Sequence, residues 1–405
     1  MPAPVEQEDQ PHAHIELVDD NPSPRAEGEP SPGLRNSKGW DGKLRVPKNA
    51  LLANPEALSD PEYSDEDNVV PGEEIEPDEG TICPFLKTSR LAEGHLLIWP
   101  FLDLLDGEDS DTDELICTHS RIQSIPSLRL ERFKNVARLC LRQNGIQDIE
   151  GLECLAETLQ ELDLYDNLVA HVRGLDQLTR LTSLDLSFNK IKHIKHISHL
   201  KDLTELFFVA NKISTIENLE GLDKLRMLEL GSNRIREIQN LDSLKELEEL
   251  WLAKNKITEL KGLGGLPKLK LLSIQSNRIR DLSPLAEVPT LEELYISHNA
   301  LESVAGLEQN TKLRVLEISN NQVKSLKGLA PLKELEELWA SYNQISDFAE
   351  VERELKDKEN LTTVYFEGNP LQLRGPAVYR NKVRLALPQV QQIDASKCKI
   401  PLLNK

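Results

Sequence analysis

Side chains that could recognise a basic protein surface recur along the chain at multiples of 22 residues. The carboxylates of Asp185, Glu229 and Glu317 share one phase of this period with large aromatic side chains such as Trp251 and Trp339. Carboxylates accept charge-assisted hydrogen bonds from arginine, and aromatic side chains dominate the free energy of many protein interfaces. The pattern therefore predicts binding of a basic protein partner.

Two other features contain side chains that can bind metal or act as nucleophiles, but in both the sequence lacks the partner residues that such a site requires. His193, His196 and His199 form an H-x-x-H-x-x-H run, which allows a zinc site or an exposed stripe, and no carboxylate or cysteine nearby completes a ligand set. Cys140 has no histidine partner in phase with it. Glycine-rich phosphate loops and triad spacings are missing from the sequence. We therefore expect no catalytic residue, no cofactor and no bound metal.

The positions of these side chains follow from a repeat marked by asparagine. Leucine or isoleucine recurs eight, five and three residues before each asparagine and two and five residues after it, which is the leucine-rich-repeat pattern. Asn144 and Asn369 extend the series, and Ser120 takes the asparagine position of a degenerate first unit. The regular members, 22 residues apart, are Asn167, Asn189, Asn211, Asn233, Asn255, Asn277, Asn299, Asn321 and Asn343.

The repeat predicts an α/β solenoid, a leucine-rich-repeat horseshoe of about twelve 22-residue units. Each unit contributes one short strand to a concave parallel sheet, and about 22 residues per turn leave room only for a 3-10 or extended convex segment. We assign 115–370 to the solenoid and 371–405 to a C-terminal cap and tail. The residues two, four and six before each asparagine should face away from the core, with the aromatic and acidic side chains among them.

Two helices are predicted near the C-terminal end, where the period is broken. The interval between Asn343 and Asn369 is 26 residues, and Asp347 followed by Glu350 resembles a capping box that begins a helix. A second helical pattern, which includes Val383, ends at Pro388. These helices would cover the open end of the solenoid.

The first 114 residues differ in composition from the remainder. They hold 28 acidic and 8 basic residues, whereas 115–405 holds 40 of each, so the whole net charge of −20 lies in this segment. Such composition predicts a disordered, proline-rich acidic tail. Within it, 80–102 is apolar and interrupts two acidic stretches, which suggests either an in-frame insertion or a short recognition segment. Ser64 and Ser110 precede acidic residues and are candidate phosphorylation sites.

Composition also narrows the class of partner and the compartment. The acidic balance excludes nucleic-acid binding by overall charge. The longest apolar stretch near the tail is far shorter than the ~20 residues that a membrane helix requires, so we expect no membrane partner. Five cysteines with no C-x-x-C pair and no secretory signal indicate a reducing, intracellular compartment.

The array resembles the leucine-rich-repeat regulatory subunit of protein phosphatase 1, which is built from 22-residue units. The resemblance covers about 115–395 and is carried by LRLERFKNVARLCLRQN, LWLAKNKI and the end motif NPLQ followed by YRNKVRLALPQVQQIDA. It implies binding of the phosphatase catalytic subunit through the concave face, in some complexes with a small inhibitor subunit. The matching positions are Asp185, Phe207, Glu229, Trp251, Glu317, Glu337, Trp339 and Tyr365, to which the repeat pattern adds Tyr295.

The resemblance further implies a non-enzymatic role in the activity, maturation or localisation of the phosphatase, in the nucleus and cytoplasm, with a protein that is monomeric by itself. The basic-x-Val-x-aromatic docking motif of many phosphatase-binding proteins is missing, and Arg45 to Lys48 is the nearest string. Binding would then depend on the solenoid alone. The alternative is a generic leucine-rich-repeat scaffold for another basic partner, in a splicing or cytoskeletal complex.

Overall fold

The computed structural model describes residues 104–397, in which short β-strands recur once per repeat unit. Twelve strands of three residues lie parallel in chain order, and β13 (Gln392–Ile393, parallel to β12) and β14 (Ser396–Lys397, antiparallel to β13) complete the sheet. The twelve are β1 (Glu114–Ile116), β2 (Arg138–Cys140), β3 (Glu161–Asp163), β4 (Ser183–Asp185), β5 (Glu205–Phe207), β6 (Met227–Glu229), β7 (Glu249–Trp251), β8 (Leu271–Ser273), β9 (Glu293–Tyr295), β10 (Val315–Glu317), β11 (Glu337–Trp339) and β12 (Thr363–Tyr365). The predicted solenoid and its number of strands are confirmed.

The sheet has one buried and one exposed face because each strand presents its middle residue to the core. Leu184 is paired in register with Leu162 and Leu206 on the neighbouring strands, and all three side chains are buried. The first and third residues of each strand point the other way, as alternation along a strand requires. A single apolar cluster runs beneath the sheet from Leu105 to Ile393. No unit can bury its leucines without its neighbours.

The repeated asparagines join successive units through their side-chain amides. Asn255 is representative: its Oδ1 accepts from the Ile235 amide at 2.9 Å, and its Nδ2 donates to the Leu230 and Leu252 carbonyls at 2.9 and 3.0 Å. The same bonds recur at the other asparagines of the ladder. These contacts satisfy backbone groups that the turn would otherwise bury without partners.

The residue before each asparagine adopts a left-handed backbone conformation. From Asp166 to Tyr342 its φ lies between 53° and 56° in every unit. This conformation turns the chain out of the strand, and it is uncommon for bulky side chains. Phe188 and Tyr342 nevertheless occupy such positions and are 45% and 55% exposed. The turn geometry is therefore imposed by the solenoid rather than by local preference.

The segments opposite the sheet are short, as the unit length requires. Most are turns, and the 3-10 helices among the described residues are Ile125–Leu128, Leu130–Arg132, Glu153–Leu155 and Ser283–Glu287. Pro126 and Pro284 lie in the first turn of two of them, where a missing amide hydrogen costs nothing.

Helices α1 (Phe348–Leu355), α2 (Pro370–Leu373) and α3 (Pro376–Ala386) form the predicted C-terminal cap. The Asp347 side chain accepts from the Ala349 amide and caps α1. The Glu350 carboxylate instead accepts from Ser325 Oγ at 2.6 Å, so Glu350 ties the helix to the preceding unit.

A buried lysine fixes the cap to the last repeats. Lys358 is fully buried, and its Nζ donates to the Leu329 and Leu332 carbonyls at 2.6 and 2.8 Å. Desolvation lowers the pKa of Lys358 to about 8. The carbonyl oxygens supply the partners that a buried ammonium group requires.

Packed structure begins before the predicted start of the solenoid at 115. Leu105 is buried in the core, and the Asp113 carbonyl accepts from the Ala137 and Arg138 amides. Ser110 is exposed. Ser64, the apolar segment 80–102 and most of the predicted tail lie outside the described residues, as does the end of the chain after 397. None of the helices described here is long and apolar enough to span a membrane.

The asparagine ladder yields a prediction about stability. Replacing Asn255 with alanine removes the side-chain groups that bond one buried backbone amide and two buried backbone carbonyls. A buried backbone group that is left without a partner costs about 1–3 kcal/mol. We expect Asn255→Ala to lower the free energy of unfolding by about 3 kcal/mol in urea denaturation. The exposed Asn360, replaced in the same way, should change it by less than about 0.5 kcal/mol. Equal changes in the free energy of unfolding for the two variants would show that the asparagine ladder does not stabilise the fold more than an exposed asparagine does.

Candidate protein-binding face

The nine residues predicted to bind a partner lie on the exposed face of the sheet. Each is half-buried, with its side chain partly covered by its neighbours. Eight of them occupy the third position of a strand, and Glu337 occupies the first position of β11. They are Asp185, Phe207, Glu229, Trp251, Tyr295, Glu317, Glu337, Trp339 and Tyr365.

Strand register places a carboxylate between two aromatic side chains in the middle of the sheet. Glu229 is paired across β6 with Phe207 on one side and Trp251 on the other. Opposed side chains on neighbouring parallel strands lie about 5 Å apart, so both rings shield this carboxylate from water. We call these three residues the first trio.

The same arrangement recurs four strands later. Glu317 on β10 is paired in register with Tyr295 and Trp339, and these residues form the second trio. Between the trios, β8 presents Ser273, which is buried and small. The two carboxylates are therefore separated by four strand spacings, or about 19 Å.

Glutamates at the first position of the strands orient the aromatic rings. Trp339 Nε1 donates to Glu337 Oε2 at 2.8 Å, and Trp251 Nε1 donates to Glu249 Oε2 at 3.3 Å. Tyr295 OH donates to its own strand glutamate at 2.8 Å. These bonds satisfy the polar edge of each ring and leave its face available for contact.

Asp185 is bonded differently from the trio carboxylates. Its Oδ2 lies 3.3 Å from Arg142 Nη2, and its Oδ1 accepts from the Ser187 amide at 2.9 Å. Arg142 also pairs with Asp163 and lies 4.9 Å above the Tyr165 ring. An arginine of the protein itself therefore offsets part of the negative charge at this end of the face.

Sequence reasoning did not connect Arg142 to Asp185. The two residues are 43 positions apart and lie at different phases of the repeat, at two and four residues before an asparagine. The position two residues before the asparagine did carry a signal. It is occupied by Arg142 and Tyr165 in two early units and mostly by small residues in later ones. Tyr165 extends the aromatic surface by its 4.8 Å contact with Phe188.

Tyr365 closes the other end of the face. Its ring centroid lies 5.1 Å from that of Trp339, and its hydroxyl accepts from Gln392 Nε2 at 2.7 Å. The cap strand β13 therefore positions the last aromatic side chain of the candidate binding face.

Burial changes the ionisation of the trio carboxylates. Desolvation, with a smaller contribution from Asp185, raises the pKa of Glu229 to about 7. Desolvation also raises the pKa of Glu317, although Ser297 Oγ donates to its carboxylate at 3.2 Å. The pKa of Asp185 is raised by burial and by Asp163 despite the presence of Arg142. Such carboxylates gain most from a cation that replaces the lost water.

The histidine run does not form a ligand cluster. His193 Nδ1 contacts Glu217 Oε1 at 3.0 Å, whereas His199 Nε2 contacts the Leu175 carbonyl at 2.9 Å. Across residues 104–397, groups of three or more histidine, cysteine or acidic side chains placed to hold a metal ion do not occur. Cys140 Sγ lies 3.8 Å from Thr118 Oγ1 on the exposed face.

Sequence comparisons agree with this architecture. A family profile described as leucine-rich repeats (2 copies) matches 245–287 and 289–331, and one described as leucine rich repeat matches 179–235. The chain therefore contains leucine-rich repeats in these ranges. An internalin from Listeria monocytogenes has a similar fold, with a TM-score of 0.55, 25% identity and coverage of 71% of this chain and 87% of the internalin chain.

Part of the chain is similar in sequence to regulatory subunits of protein phosphatase 1. It is 48% identical over 85 residues to protein phosphatase 1 regulatory subunit SDS22 of Saccharomyces cerevisiae, which is 20% of this chain and 25% of that protein. It is 58% identical over 79 residues to the protein of the same name from Schizosaccharomyces pombe, which is 20% of this chain and 23% of that protein. These alignments span about a quarter of the yeast proteins.

The raised pKa of Glu229 predicts a pH-dependent effect on stability. Because its folded pKa of about 7 exceeds the unfolded value of 4.5, ionisation destabilises the folded state increasingly as pH rises from 4.5 to 7. Glu229→Gln should therefore raise the free energy of unfolding by about 1–2 kcal/mol at pH 8 and have little effect at pH 4.5.

Urea denaturation at both pH values measures this difference. Glu334→Gln removes one negative charge from an exposed position and serves as the control. A Glu229→Gln protein less stable than the wild type at pH 8 would contradict the interpretation.

Proposed function

We propose that the chain is a non-catalytic regulatory subunit that binds the catalytic subunit of protein phosphatase 1 through the exposed face of its sheet. The observation that carries the proposal is the pair of aromatic and carboxylate trios, centred on Glu229 and Glu317. The partial homology to phosphatase regulatory subunits supports the choice of partner.

Each trio is chemically suited to receive one basic side chain. An arginine guanidinium lying between the flanking rings would gain cation–π contact and a charge-assisted hydrogen bond to the central carboxylate. Its charge would also restore the solvation that Glu229 and Glu317 lose on folding. The rings are already oriented by Glu249 and Glu337, so little side-chain freedom remains to be lost on binding.

The face would occupy the phosphatase without contributing a reacting group. A large, rigid surface of this kind can block, redirect or retain its partner, and control of phosphatase activity, maturation or localisation follows from which surface of the enzyme is covered. The involvement of a small inhibitor subunit and the location in nucleus and cytoplasm stay predictions from the sequence.

Removing both tryptophans tests the face directly. We expect the Trp251→Ala/Trp339→Ala protein to bind purified catalytic subunit at least ~30-fold more weakly, since central aromatic residues often contribute about 2 kcal/mol or more. Titration calorimetry with the full-length chain measures the affinity, and circular dichroism verifies folding.

Leu373→Ala/Leu385→Ala provides a matched control, because both leucines are exposed and lie in the cap. It should change the affinity by less than about twofold. Tight binding that survives loss of the tryptophans would place the interface elsewhere, and absence of binding by the wild type would exclude the phosphatase as a direct partner.

The carboxylates give a second, independent test. Glu229→Gln/Glu317→Gln keeps the shape of the face and removes both central charges, so we expect about tenfold weaker binding to the catalytic subunit and a smaller dependence on salt. Glu302→Gln/Glu334→Gln removes the same charge from exposed positions away from the trios. If both variants lose the same affinity, the trio carboxylates act only through the net charge of the chain.

A further inference from the structure

A column of basic side chains lies beside the asparagine ladder in the middle of the solenoid. The residue that directly follows the asparagine is basic in five successive units and uncharged in the units on either side, where it is Leu168 or Ala300. The five residues are Lys190, Lys212, Arg234, Lys256 and Arg278. Two positions further on, Lys192, Arg236 and Arg280 are also basic, and these eight residues together form what we call the basic stripe.

The backbone holds the stripe in strict register. The Lys212 amide donates to the Ile191 carbonyl of the preceding unit at 2.8 Å, and the Lys256 amide donates to that of Ile235 at the same distance. Lys190, Arg234 and Arg278 make the equivalent bond. Because the intervening isoleucines are buried, the side chains before and after them point outward. Five cations therefore follow one another at about the strand spacing of 4.8 Å.

Several members of the stripe have no acidic partner, in contrast to a group of basic residues that precede the strands. These residues form ion pairs between adjacent units: Lys224 Nζ lies 2.7 Å from Asp202 Oδ1, and Lys268 Nζ lies 2.6 Å from Glu246 Oε2. Within the described part of the chain, ion pairs are not formed by Lys190, Lys192, Lys212, Lys256, Arg278 and Arg280.

The contrast holds even within the same column. Outside the stripe, Lys324 occupies the position of Arg280 and is paired with Glu302 of the preceding unit at 3.2 Å. The basic residue at this repeat position is therefore paired with a carboxylate in a unit beyond the end of the stripe. Neighbouring like charges repel and weaken a folded protein slightly, so a run of five is not explained by folding.

Two carboxylates that lie beyond the stripe are bonded to other groups. Glu259 pairs with Lys261, and Asp281 accepts from the amide and hydroxyl of Ser283. The stripe is therefore a narrow cationic line between these residues and the acidic face of the sheet.

We propose that the basic stripe is a second interaction surface, which binds an extended acidic segment of a protein partner. The line from Lys190 to Arg278 covers four strand spacings, about 19 Å, which matches about six residues of extended polypeptide. Aspartate and glutamate side chains of such a segment would pair with successive cations. A nucleic acid fits less well, because its phosphates would also approach the carboxylates on both sides.

Removing four unpaired cations tests the proposal. The variant is the full-length chain with four substitutions to glutamine, at Lys190, Lys212, Lys256 and Arg278. Fluorescence anisotropy at low salt measures its binding of a labelled peptide of about twelve glutamates. We expect at least about tenfold weaker binding than by the wild type, because four cations that would pair with the peptide are removed together.

The matched control removes four positive charges from the paired residues that precede the strands, with Lys224, Lys268, Lys270 and Arg314 replaced by glutamine. It should bind within about twofold of the wild type. The proposal is overturned if the wild type fails to bind the peptide, or if both variants lose the same affinity. Tighter binding of a labelled oligothymidylate than of the peptide would overturn the assignment to a protein partner. Circular dichroism confirms that both variants are folded.

Discussion

The bond between one asparagine side chain and the backbone of the preceding unit is the interaction on which the other features of this protein depend. Asn255 accepts from Ile235 and donates to Leu230 and Leu252, so one amide group fixes where two successive units lie relative to one another. Repeated along the chain, this contact gives every strand the same register. The trios, the glutamate-oriented rings and the basic stripe all exist because equivalent positions of successive units are brought side by side.

The proposed binding face shows how a polar site can be built on the exposed side of a sheet. Aromatic neighbours remove water from Glu229, which raises its pKa and makes the bare carboxylate costly. A cation bound beside this carboxylate would offset the desolvation cost of its ionised form. Asp185 illustrates the opposite solution, since Arg142 supplies that cation within the chain. The two kinds of carboxylate occupy the same column of the sheet and are suited to different roles.

Much of this structure could be predicted from periodicity. The spacing of Asn189, Asn211 and their equivalents determines strand position, and alternation then assigns Phe207, Glu229 and Trp251 to one face. What periodicity could not supply are contacts between different phases. The bond from Ser325 to Glu350 joins positions 25 residues apart, which is not a multiple of the repeat. The buried Leu105 precedes the repeats, so the repeat pattern could not predict its packing. Such contacts depend on side-chain reach in three dimensions, for which a single sequence has no marker.

The constant register has a consequence for the evolution of the protein. An insertion or deletion of a whole unit preserves every asparagine bond and leaves the fold intact, but it changes the separation of Glu229 and Glu317 by one strand spacing of about 4.8 Å. Loss of a single residue within a strand instead turns its leucine away from the core. The segment opposite the sheet accepts extra residues, as the 26-residue interval between Asn343 and Asn369 shows. Folding therefore permits the number of strands to change only in steps of one unit, and each step would alter the spacing of the two basic side chains that the proposed face could receive.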